Sequence, residues 1–125
     1  MFATTLAKTA YADPSLPTRT ARGTEFEVFA RVTRRLKQAA AEGETGFPAL
    51  AAAIYENRKL WAILSDDVSL PENGLPDDLR ARLFYLGAFT QDHSRKVLSG
   101  KATADILIEI NTSIMRGLRQ ERAAS

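Results

Sequence analysis

The sequence predicts an all-α fold: a small helical bundle of four main helices plus a short N-terminal helix. Three observations predict it. Valine, isoleucine and leucine recur at three- and four-residue intervals and not at two, which is the spacing of one helix face. Proline and glycine cut the 125 residues into helix-length blocks. Each long block carries an apolar stripe, so the helices can close a core against one another.

The leading segment, Thr4 to Ala12, ends at Asp13-Pro14, and Ser15-Leu16-Pro17 continues the break. A second block runs from Thr20 to Glu42. Thr24 and Glu27 have capping-box spacing, so the regular helix begins at Thr20 or at Thr24. Gly43 and Gly46 close it. Placed at about 100° per residue, Phe26, Phe29, Val32, Thr33, Leu36 and Ala40 share one face. A third block runs from Phe47 to Val68, with Pro48 tolerated in its first turn and Leu50, Ile54, Trp61, Leu64 and Val68 in line.

The stretch SLPENGLP is turn chemistry and must be a loop. Pro76, Asp77 and Asp78 open the next helix, because acidic groups there oppose the positive end of the helix dipole. That helix runs to Ser99, and Gly100 fits a C-terminal cap. Its stripe is Leu79, Leu83, Leu86 and Val97. Thr103 is placed to cap the last helix, which runs to Arg119 before the tail QERAAS frays. Its stripe is Leu107, Ile110, Ile114 and Leu118.

Residues 1–125 are a single-domain length. Hydrophobic residues make up 45% and charged residues 26%, a globular balance. The chain has no cysteine, which excludes disulfides, thiolate nucleophiles and cysteine metal sites. The run from Phe47 to Tyr55 falls far short of the roughly 20 apolar residues that span a bilayer, so no membrane insertion is expected. The N-terminus lacks the pattern of a signal peptide. A cytoplasmic protein is expected. The formal charge of +2 leaves RNA possible without requiring it.

One stretch resembles hydrolase chemistry. QDHSRKVL places Asp92, His93 and Ser94 side by side, and His93 is the only histidine. Consecutive helical residues do not face each other, and these three spread over about 200° of a regular helix. They form no nucleophile–base chain among themselves. His93 falls on the apolar stripe, where a half-buried histidine with one hydrogen-bond partner is the simpler reading. One histidine and no cysteine leave no ordinary protein-only zinc site. No catalytic residue, metal or cofactor is expected, and the protein is not read as an enzyme.

Other signals point to surfaces. Arg31, Arg34 and Arg35 cluster opposite the phenylalanines of their helix, as a solvated face or as a patch for RNA or an acidic partner. Glu27 precedes Arg31 by four residues, the favourable order for a helix pair. Asn57 lies mid-stripe and reads as a core hydrogen bond, since a buried amide is costly unless bonded. Asn111, at a stripe edge, is either core or aimed at a partner. Phe84 and Tyr85 flank the main face of their helix, which is therefore either central in the bundle or a landing surface. Ile108 and Met115 lie seven apart on the far side of the last helix, as core or as part of a partner groove.

Four segments then resemble the blocks of the flagellar biosynthesis regulator FlaF family: EFEVFARVTRRL (25–36), ENRKLWAILSDDV (56–68), NGLPDDLRARLFYLGAFTQDHSRKVLSG (73–100) and LIEINTSIMRGL (107–118). The resemblance runs from Ala12 nearly to the C-terminus. Its most specific pieces are N-x-x-LW, N-x-LP-x-x-LR with a downstream histidine, and IN-x-x-IM-x-GL. It implies a role in flagellum assembly, with flagellin as partner and the translational regulator FlbT as a possible second one. The family has no catalytic motif to carry over.

The expectation is a cytosolic flagellin-binding export chaperone and regulator of flagellin synthesis. Its groove is placed on the last two helices, with Phe84, Tyr85, Ile108, Asn111 and Met115 as contacts. The alternative is a post-transcriptional regulator acting on flagellin mRNA through Arg31, Arg34 and Arg35, alone or with FlbT.

Overall fold

Three- and four-residue apolar spacing does become helix. A computed structural model describes residues 18–124, with side chains described from 26 to 118. The helix expected over 4–12 lies outside the described residues. Helix α1 spans Thr18–Ala41 and is followed by a 3-10 turn at Gly43–Gly46. Helices α2, α3 and α4 span Phe47–Val68, Asp77–Leu98 and Asp105–Ala124. There is no strand among the described residues, and no helix among them is long and apolar enough to cross a membrane.

The helices pack as a ring. Helix α2 lies against α1 and α3, α4 lies against α1, and α3 and α4 touch least. Helices α2 and α4 therefore face each other across the diagonal. The predicted stripes meet in the middle, where Phe29, Leu36, Ile54, Trp61, Leu64 and Leu107 are fully buried. Each such side chain contributes roughly 1.5–3 kcal/mol by leaving water. The Phe29 ring meets Trp61 edge-on, with centroids 5.9 Å apart.

Three boundaries differ from expectation. Helix α1 is already continuous at Thr24, so it does not begin there. Helix α4 starts at Asp105, and the carbonyl of Ala104 accepts the Ile108 N–H at 3.1 Å. Ala104 thus takes the cap position expected of Thr103. The tail does not fray early, because Gln, Glu, Arg and Ala are good helix formers and α4 runs on to Ala124. Gly100 does cap α3. At φ 79° it donates to Val97 O at 3.0 Å while Lys101 donates to Lys96 O at 2.8 Å, the two bonds of a Schellman turn.

The α2–α3 loop is clasped by its own motif. Asn73 is buried; its Nδ2 donates to the backbone oxygen and to Oδ2 of Asp67, both at 3.1 Å. Its Oδ1 accepts the Leu75 N–H at 3.1 Å, an Asx turn. From α3, Arg80 reaches back to donate to Val68 O at 2.8 Å and to Leu70 O at 2.6 Å. The final carbonyl of α2, that of Val68, which has no helical partner, is thereby satisfied by a cation, and Leu70 O in the loop is held by the same group.

Candidate partner-binding groove

The Asp92-His93-Ser94 stretch separates as helical geometry requires. Ser94 is buried, with its hydroxyl donating to Thr90 O one turn back at 2.6 Å. Asp92 is exposed and pairs with Arg95 and Lys96, both at 3.5 Å. His93 is half-buried, stacked on Phe89 with centroids 5.5 Å apart. Its Nε2 lies 3.0 Å from the Thr103 carbonyl, the acceptor that ties α3 to the start of α4. The three side chains do not meet.

The motif asparagines are core groups. Trp61 donates its indole N–H to Asn111 Oδ1 at 2.9 Å, and Asn111 Nδ2 donates to Asn57 Oδ1 at 2.8 Å. Both asparagines are fully buried. This chain spans the α2–α4 diagonal and bears out the core reading of Asn57. It also corrects the placement of Asn111 among partner contacts: an indole N–H buried on the opposite helix needs an acceptor, and Asn111 supplies it. Asn57 Nδ2, Thr33 Oγ1 and Thr90 Oγ1 lie in the same interior without a protein partner.

For Ile108 and Met115 the structure shows the packing of the core alternative. Both are half-buried and pack against the core cluster instead of pointing away from it. Phe84 and Tyr85 stay on the surface, 53% and 67% exposed, which rules out α3 as a central helix.

What the surface offers is a groove between α2 and α3, with a volume of about 780 Å³. Its floor is made of small residues, Ala51, Ala62 and Ser65 from α2 with Gly87 and Ala88 from α3. Gly87 permits the close approach of the helices: a Cβ there would stand 2.0 Å from Ser65 Oγ. Tyr55, 64% exposed, and Phe84 supply aromatic surface. Arg58, Lys59, Asp66 and Gln91 supply the polar lining. Lys59 Nζ sits over the Tyr55 ring, 5.5 Å from its centroid. Ile108, Asn111 and Met115 line none of it.

This groove lies one helix away from the one expected on the last two helices, with Phe84 as the shared residue. Its floor left a signal in the sequence. Ala51, Tyr55, Arg58, Ala62 and Ser65 recur at four- and three-residue steps, a second stripe beside the apolar one, but small residues do not register as one.

A second recess of about 600 Å³ lies where Phe47 and Leu50 meet Ala102 and Thr103 of the α3–α4 loop. Of the arginine face, Arg35 is engaged with Glu56 of α2 as an ion pair. Arg31 and Arg34 are exposed, and the Glu27–Arg31 pair expected from spacing is not formed among the described residues.

Residues 7–118 match the family model described as flagellar protein FlaF. No curated protein and no solved structure matches the chain.

Proposed function

We propose, from the premise that this chain belongs to the FlaF family of flagellar proteins, that it binds flagellin in the cytoplasm before export and thereby regulates flagellin supply. The observation that supports this most directly is the α2–α3 groove, with a floor too small-sided to fill itself and two aromatic rings left more than half exposed. A ridge of large apolar side chains on an amphipathic helix fits such a surface. Flagellin's terminal segments are helix formers that must stay unassembled until export.

The alternative, direct action on flagellin mRNA, is weakened by Arg35, whose charge is matched by Glu56. FlbT is a further partner this reading admits. The test is purification of the chain with flagellin and with flagellin leader RNA in parallel. Co-elution with flagellin, little affected by salt, is expected. An RNA complex whose affinity falls steeply with salt, without flagellin binding, would replace this reading with the alternative.

A further inference from the structure

One charged group of the groove is fixed in place before any partner arrives. Gln91 of α3 accepts a hydrogen bond from Arg58 Nε at 2.8 Å. The same amide donates from Nε2 to the Arg58 carbonyl at 3.0 Å. Gln91 thus holds both the side chain and the backbone of Arg58, and Arg58 is half-buried. With Nε taken, the two terminal nitrogens remain, and no acceptor among the described residues meets them. A guanidinium held in this way is a planar donor fork shaped for a carboxylate, with little rotamer entropy left to lose.

The surroundings set the sign of the partner. Lys59 adds a second cation, and Asp66 is the one acid lining the groove. An apolar floor with two cations and one anion favours an occupant that is apolar on one face and acidic at its edge. We infer that the α2–α3 groove takes an amphipathic protein helix bearing a carboxylate, and that Arg58, held by Gln91, is the group that reads that carboxylate. The inference deepens the flagellin reading, since it specifies the partner chemistry of the same groove. A nucleic acid fits less well, because its phosphates call for a row of cations, whereas small aliphatic side chains make up most of the floor.

The test uses the full chain and two synthetic amphipathic helices with a leucine face, identical except that the positions flanking that face are Glu in one and Gln in the other. Titrated into isotope-labelled protein, the Glu helix is expected to shift the resonances of Ala62, Gly87, Ala88 and the Arg58 Nε–H. It should bind about tenfold more tightly than the Gln helix, a difference of about 1.4 kcal/mol. Arg58→Gln should abolish that preference while the spectrum away from the groove stays unchanged. Gln91→Ala, which leaves Arg58 present but untethered, should reduce it, and Arg58→Lys should retain only part of it.

Several results would overturn the inference: no binding by either helix, equal binding of the two, a preference that survives Arg58→Gln, or shifts confined to another face. So would the same shifts on concentrating the protein alone, which would mean a second copy fills the groove, or an RNA oligonucleotide outcompeting the Glu helix there. A Glu preference read by Arg58 in a protein that ignores flagellin would sink the flagellin reading and leave this one standing. Flagellin binding that is indifferent to Arg58 would do the reverse.

Discussion

Trp61 carries an N–H into the centre of the bundle, and Asn111 answers it from the opposite helix. Asn111→Ala would orphan that donor and the Oδ1 of Asn57 together. A loss of roughly 2–4 kcal/mol is expected, combining two unmade buried bonds with a small cavity, read as the shift in a urea unfolding curve. Ser94→Ala is the contrast. Its hydroxyl only supplements a carbonyl within the same helix, so a cost of at most about 1 kcal/mol is expected. His93→Ala should fall between them, losing the Phe89 stack and the Thr103 carbonyl. Equal costs for Ser94 and Asn111 would contradict this ranking. Asn57 was legible in the sequence, because it interrupts an apolar stripe. Asn111 was not: its place on its own helix says nothing about which side chain lies across the diagonal.

Among the elements, the α2–α3 connection shows how a turn signal understates a loop. SLPENGLP announces a break in the helix, and the break is there. Unannounced is the clasp, since Arg80 lies beyond the loop and its acceptors, Val68 O and Leu70 O, are backbone atoms invisible to side-chain patterns. Arg80→Ala should expose those carbonyls and speed hydrogen exchange across residues 66–75, at a stability cost of about 2 kcal/mol. Unchanged exchange there would show that the clasp is not needed. The last helix was legible in its stripe, while its flanks, Ile108 and Met115, read equally as core or as groove. Ile108→Ala with Met115→Ala is expected to lower the unfolding midpoint, because both side chains pack against the core. Roughly 1–3 kcal/mol is reasonable for two half-buried truncations. Full stability with lost flagellin affinity would restore those residues to a binding surface.

For the whole molecule, the three motifs that carried the sequence resemblance build the scaffold: N-x-x-LW and IN-x-x-IM supply the diagonal network, and N-x-LP-x-x-LR supplies the clasp. The joint replacement of Arg31, Arg34 and Arg35 by Gln should leave flagellin binding largely unchanged and cost little stability beyond the pair with Glu56, since exposed ion pairs contribute about 1 kcal/mol or less. If flagellin sits in the α2–α3 groove, Tyr55 and Phe84 are the side chains it must meet. The most direct test is flagellin affinity, measured by calorimetry, for the double variant Tyr55→Ala with Phe84→Ala, alongside its thermal melt. Both rings are more than half exposed, so the melt should stay close to wild type, while affinity should drop by about 2 kcal/mol or more, roughly thirtyfold. A folded double variant that binds flagellin at full strength would contradict the account and move the site to another face.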